Sequence, residues 1–91
     1  MQNSLGPTGQ KIAAKLQQAF APIRLEVIDE SHQHDGHAGA HLSGESHFRV
    51  RIASSAFEGK SRVAQHRMIN ELLAPELKSR VHALALEISA R

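Results

Sequence analysis

The stretch His47-Phe48-Arg49-Val50-Arg51-Ile52-Ala53 alternates apolar and polar side chains along its length. Successive side chains of a strand point to opposite faces of a sheet, so this alternation sorts the residues into two sets. The pattern predicts a half-buried strand that turns one face to a core and the other to water. The apolar set is Phe48, Val50 and Ile52, and the polar set is His47, Arg49 and Arg51.

Four further elements are predicted on either side of this strand. An apolar stripe at helical spacing predicts a first helix from an N-cap at Thr8 to about Phe20, where Pro22 stops it. The other three follow the same two periodicities and give the order α-β-β-α-β. They are strands at residues 23–29 and 81–88, and a principal helix at residues 60–73 with a short continuation over residues 74–77.

The fold class follows from the order of these elements. A helical crossover can place the second and third strands parallel, whereas the first two strands pair antiparallel. The simplest packing is an α+β domain with two helices on one face of a mixed three-stranded sheet. A chain of 91 residues has room for one core, so we expect residues 1–7 to be a flexible lead-in and residues 8–91 to form a single domain.

The composition is that of an ordinary globular chain, with 41% hydrophobic and 22% charged residues. No apolar run approaches the roughly 18 residues of a membrane span, and residues 1–10 lack the basic start and apolar stretch of a secretory signal. We therefore expect a cytoplasmic protein that does not enter membranes. The sequence has no nucleophile elbow, P-loop or convincing carboxylate pair, so we do not expect an enzyme.

Positive charge is concentrated in residues 49–67, although the whole chain carries only +2. This segment holds five bases and one acid, which makes it the candidate electropositive surface. The bases could contact nucleic-acid phosphates. They could also form a plain solvated face, because exposed aromatic residues that stack single-stranded bases are missing. The candidate nucleic-acid residues are Arg49, Arg51, Lys60, Arg62 and Arg67.

Seven histidines and no cysteine are the most unusual feature of the composition. Without cysteine the chain cannot form a disulfide or a thiolate zinc site, so any metal must be held by imidazoles, carboxylates or the ligands of a partner. Four histidines lie in a polar loop at residues 31–46, where they could bind a divalent metal or remain solvated. They are His32, His34, His37 and His41.

The other three histidines lie on predicted elements. His82 stands at the start of the last strand, in phase with its apolar stripe. It is either a partly buried, hydrogen-bonded side chain or a rigidly presented ligand at a sheet edge, and the residues alone favour the buried alternative. His66 borders the apolar face of the principal helix and is interpreted as a packed side chain. His47 opens the second strand as a surface or hinge residue.

Five motifs occur in order along residues 10–88. They are Leu25-Glu26-Val27-Ile28-Asp29-Glu30-Ser31, Glu45-Ser46-His47-Phe48-Arg49-Val50, Phe57-Glu58-Gly59, His66-Arg67-Met68-Ile69 and Val81-His82-Ala83-Leu84-Ala85-Leu86. Together they resemble the BolA family, which implies a fold similar to class II KH domains. The resemblance also implies a histidine-type BolA-like partner of monothiol glutaredoxin. The two proteins would share a bridging [2Fe-2S] cluster for iron–sulfur assembly, transfer or iron sensing.

The resemblance further implies which residues ligate the cluster. The histidine opening the last strand corresponds to His82, and the Glu-Ser-x-x-His pattern of residues 30–34 gives His34 as the loop ligand. The longer loop leaves His37 and His41 as alternatives. Thiolates would come from glutaredoxin and glutathione, and binding should weaken as the histidines protonate at acidic pH. The alternative function that the family implies is a DNA-binding transcriptional regulator. We expect the free protein to be a monomer or a weak dimer.

Overall fold

The computed structural model describes residues 5–31 and 46–91 of the chain. The α+β class and the predicted order are confirmed, except that the principal helix divides into two. The elements are α1 Pro7–Phe20, β1 Arg24–Asp29, β2 His47–Ala53, α2 Arg62–Leu72, α3 Ala74–Ser79 and β3 Ala83–Ser89. Within the described residues, no helix is long and apolar enough to cross a membrane.

The central strand of the three-stranded sheet is β2. It pairs antiparallel with β1 and parallel with β3, as the sequence predicts. The register sets Arg51 between Glu26 and Glu87, so charged side chains of all three strands line one face of the sheet. The other face of β2 carries the predicted apolar set, whose members are at most 3% exposed: Phe48, Val50 and Ile52.

The helices cover this apolar face and complete the core. From α1, Ile12 and Leu16 are fully buried. After β2 the chain forms a single 3₁₀ turn at Ser55–Phe57, and the side chain of Phe57 is also fully buried. Its ring centroid lies 4.9 Å from that of Phe20, at the end of α1. The turn that follows β2 therefore packs against the end of α1.

The first helix begins earlier than the sequence predicts. Its N-cap is Gly6, and Pro7 takes a position in the first turn, where a fixed φ and a missing N–H are tolerated. Thr8 therefore lies inside the helix and is not the N-cap. Leu5 packs against the core, so residues 5–7 of the predicted flexible lead-in are part of the folded domain.

The principal helix divides at Leu73, where the backbone leaves helical geometry with ψ 13°. Pro75 explains the break, because in a continuous helix it would have no N–H to donate to the carbonyl oxygen of Glu71 and its ring would clash with that oxygen. The predicted continuation is thus a separate helix, α3. Its buried carboxylate, Glu76, accepts a hydrogen bond of 3.0 Å from Lys15 Nζ on α1, which ties the two helices together.

Candidate functional site

At the point where the chain enters β3, His82 lies exposed on the surface. Its backbone N–H donates a hydrogen bond of 2.7 Å to the carbonyl oxygen of Ser46. The N–H of Ala83 reaches the same oxygen at 3.2 Å, so the regular alternation of the strand begins only at Ala83. His82 therefore falls outside the apolar stripe, and its interpretation as a partly buried side chain is wrong.

A second imidazole lies beside His82. Because β2 and β3 are parallel and His47 opens β2, the two strand starts share one end of the sheet. The ring centroids of His47 and His82 are 6.3 Å apart, and we call these two residues the histidine pair. The Nδ1 atom of His47 also lies 2.8 Å from the hydroxyl oxygen of Ser46. The interpretation of His47 as a lone surface or hinge residue missed this pair, although the predicted parallel pairing was sufficient to find it.

Both ends of the histidine-rich loop are anchored beside the histidine pair. Ser31 and Ser46 are buried. Ser31 donates from its N–H and its hydroxyl to Oδ1 of Asp29, and the N–H of Glu30 donates to the carbonyl oxygen of His47 at 2.8 Å. The loop thus leaves and re-enters the sheet at the same place. The predicted loop ligands lie outside the described residues: His32, His34, His37 and His41.

The donors at this end of the sheet suit part of a metal or cluster coordination sphere. Imidazole nitrogen ligates iron and zinc, and His82 offers an exposed imidazole on backbone that the sheet holds in place. Within residues 5–31 and 46–91, no three histidine, cysteine, aspartate or glutamate side chains come together as a metal site. Because the whole chain lacks cysteine, a [2Fe-2S] cluster here would need further ligands from the loop or from other molecules.

The arginines of β2 that were predicted to bind nucleic acid are engaged in ion pairs. Arg49 contacts Glu30 and Glu87, each at 2.8 Å. Arg51 contacts Glu26 at 3.3 Å and Glu87 at 3.1 Å. Hydrogen bonds to these carboxylates raise the pKa of both arginines above the ordinary value. Three carboxylates surround these two arginines. The open face of the sheet is therefore not part of the electropositive surface that is predicted from residues 49–67.

The other predicted bases lie on or beside α2. Ser61 caps this helix, its hydroxyl accepting a hydrogen bond of 3.1 Å from the N–H of Ala64. Arg62 and Arg67 are exposed on the helix, and the exposed Lys60 precedes it. In the part of the chain that the structure describes, none of these three bases forms an ion pair. They are therefore better placed than the arginines of β2 to meet a phosphate.

Comparisons with known proteins agree with one another. The BolA family model, described as BolA-like protein, matches residues 16–91. A Sinorhizobium protein, the uncharacterized protein in the cobS 5' region, is 62% identical over 89% of this chain and 88% of its own length. The DNA-binding transcriptional regulator BolA of Escherichia coli is 48% identical over 85% of this chain and 70% of its own length. The solved BolA domain of SufE1 from Arabidopsis thaliana matches with a TM-score of 0.85 and 48% identity, over 94% of each chain.

Several other relatives are longer than this chain. The chain spans between 24% and 58% of the length of five of them. It therefore corresponds to one part of those proteins, and what their remaining parts do is not carried over to it.

Proposed function

This chain belongs to the BolA-like protein family, and we propose that it is the partner of a monothiol glutaredoxin. The two proteins, with glutathione, would share a bridging [2Fe-2S] cluster that is passed on in iron–sulfur assembly or transfer, or used to sense iron. This chain would contribute His82 and one loop histidine. For the loop ligand we retain His34, with His37 and His41 as alternatives.

One observation carries this proposal: an exposed imidazole stands at the foot of the histidine-rich loop. The 2.7 Å bond from the N–H of His82 ties the start of β3 to Ser46, where the chain re-enters the sheet. The two ends of the loop and His82 therefore lie at the same end of the sheet. A ligand held by sheet backbone is already positioned when the cluster arrives, which favours binding.

The absence of cysteine supports a site that is shared between two proteins. Iron–sulfur clusters are usually held by thiolates, and histidine in their place raises the reduction potential. This chain can offer imidazole but no thiolate. A glutaredoxin cysteine and the thiol of glutathione would supply the sulfur ligands, so a histidine-ligated cluster would form only in the complex.

Adding this protein to a cluster-loaded monothiol glutaredoxin with glutathione is expected to change the visible absorption and circular dichroism of the cluster. The change follows because imidazole nitrogen replaces sulfur on an iron atom. A titration followed by gel filtration measures it, and the spectrum should stop changing when the two proteins are present in equal amounts. A spectrum that equals that of glutaredoxin alone at every ratio, with no complex in gel filtration, would overturn the proposal.

A second candidate function, DNA binding, rests on the bases of α2. The Escherichia coli relative is named a DNA-binding transcriptional regulator. Lys60, Arg62 and Arg67 are exposed and make no ion pair with the described carboxylates. Arg62 lines a cleft with Ser89, at the opposite end of β3 from the histidine pair. The two surfaces are separate, so one molecule could serve both functions.

Arg67→Ala is expected to weaken duplex DNA binding and to reduce the slope of log affinity against log salt concentration by about one. The matched control is Arg51→Ala, which removes an arginine already bound by Glu26 and Glu87 and should leave the affinity unchanged. Fluorescence anisotropy of a labelled duplex at several salt concentrations measures both variants. Equal losses in the two variants would show that α2 is not the DNA-binding element.

A further inference from the structure

The outer edge of β3 is free of a strand partner within the described residues, where β3 pairs with β2 alone. The N–H of Ala83 donates to Ser46, and the carbonyl oxygen of Ser89 accepts from Ser54, so these two residues of β3 face β2. In a parallel ladder, alternate residues turn both backbone groups the same way. The N–H and C=O groups of Leu84, Leu86 and Ile88 therefore point outward, to the free edge.

This edge lacks the features that usually prevent strands from adding to a sheet. Edge strands are commonly protected by proline, lysine, a bulge or an inward charge. The seven residues of β3, Ala83–Ser89, include no proline and no lysine. The one charged residue, Glu87, is held on the open face of the sheet by Arg49 and Arg51. The edge is therefore apolar and suited to pairing.

A cleft of about 560 Å³ borders the second half of β3 and extends to residues of β2 and β1. Arg62 and His66 of α2 line it on one side, Leu86 and Ile88 lie at the strand itself, and Glu87 lines it on the open face. An added strand lies about 4.8 Å from its neighbour and extends side chains to both faces of the sheet. Residues 86–89 of β3 line this cleft, so this part of the strand borders open space.

We propose that β3 pairs antiparallel with β3 of a second copy of this chain, forming one continuous six-stranded sheet. The sequence of β3 is self-complementary about Leu86. When Leu86 lies opposite Leu86 of the second copy, Leu84 lies opposite Ile88, and Glu87 lies opposite Ala85. The outward backbone groups of each strand then face those of the other and can form about six hydrogen bonds.

Other registers are less favourable. Shifting the strands by two residues in one direction places Glu87 opposite Glu87 of the second copy, and like charges directly opposite each other destabilise a pair. Shifting by two residues in the other direction places Ile88 opposite His82. Only the register centred on Leu86 pairs every large apolar residue of β3 with another, which favours a second copy over an unrelated strand.

Two substitutions of Ala85 test this register with opposite charges. Ala85→Glu places a carboxylate opposite Glu87 of the second copy and should weaken association about tenfold, whereas Ala85→Arg should strengthen it by a similar factor. Arg49 lies beside Ala85 in the β2–β3 register, so the added glutamate also has a basic neighbour in its own chain. Far-ultraviolet circular dichroism verifies that both variants keep their fold, so that a loss of association can be separated from misfolding.

Sedimentation equilibrium over a wide concentration range measures the association. Amide hydrogen exchange adds a second readout: the amides of Leu84, Leu86 and Ile88 should gain protection as concentration rises, while those of Ala83 and Ala85 should not change. A protein that stays monomeric at millimolar concentration would overturn the proposal. It would also be overturned if both Ala85 variants shifted association in the same direction, or if the outward amides gained protection only when another protein was added.

Discussion

The His82→Ala variant is expected to cause no change in the cluster spectrum when it is added to cluster-loaded glutaredoxin and glutathione. The spectrum should remain that of glutaredoxin alone. Removal of a residue that only supports a metal ligand lowers metal affinity by roughly 10- to 100-fold. Removal of the ligand itself should lower the affinity for the cluster by more than that. The side chain of His82 is exposed and is not part of the core, so the variant should keep its fold. Visible circular dichroism during a titration measures the loss.

The matched control for this experiment is His66→Ala. His66 is a partly exposed histidine of α2 that lines the cleft with Ile88 and Ser89, at the far end of β3. Its substitution removes the same kind of side chain but no proposed ligand, so the spectrum should match that of the unmodified mixture. If the mixture with His82→Ala gave the same spectrum as the mixture with the unmodified protein, His82 would be excluded as a ligand. The glutaredoxin partnership would then have to be tested separately.

Phe57→Ala is expected to lower the free energy of unfolding by about 3–5 kcal/mol. The side chain is fully buried, and its ring packs 4.9 Å from that of Phe20, so the change leaves a cavity between α1 and the 3₁₀ turn. Domains typically have only about 5–15 kcal/mol of total stability. The loss would therefore bring a domain of this size close to unfolding at room temperature.

Urea unfolding measures this effect, followed by far-ultraviolet circular dichroism because the chain contains no tryptophan or tyrosine. The conservative control, Phe57→Leu, keeps most of the apolar volume and should cost less than the alanine change. Val63→Ala is an exposed control, since Val63 is 65% exposed on α2 and its side chain contributes little to the core. Equal transition midpoints for Phe57→Ala and Val63→Ala would show that the turn does not stabilise the fold.

Much of the fold could be predicted because its strands and helices have clear periodicities. The alternation in residues 47–53 defines β2 and its two faces, since one face is buried and the other is wet. The antiparallel pairing of β1 with β2 follows from their direct connection by a loop, and the parallel pairing of β2 with β3 follows from the helical crossover between them. The ends of the elements were harder to predict, because they depend on local backbone choices such as Pro7 starting α1 and Pro75 separating α3 from α2.

The candidate site was less predictable, because it depends on residues that are far apart in the sequence. Arg49 and Arg51 seemed to belong with the bases of α2, but the sheet brings Glu26 and Glu87 to them from the neighbouring strands. The exposure of His82 depends on the turn that precedes β3. The loop ligands were assigned by resemblance alone, and His34 as a cluster ligand stays a prediction.

The central position of β2 also affects how the chain folds as it is synthesised. β1 can pair with β2 as soon as β2 emerges, but β3 follows only after α2 and α3. Until then, one edge of β2 has no strand partner, and such long-range pairing is intrinsically slow. Arg49 and Arg51 alternate with the apolar residues of β2, and charges of this kind limit aggregation of an exposed strand. A nascent chain that stops short of β3 is therefore the form that most needs a chaperone.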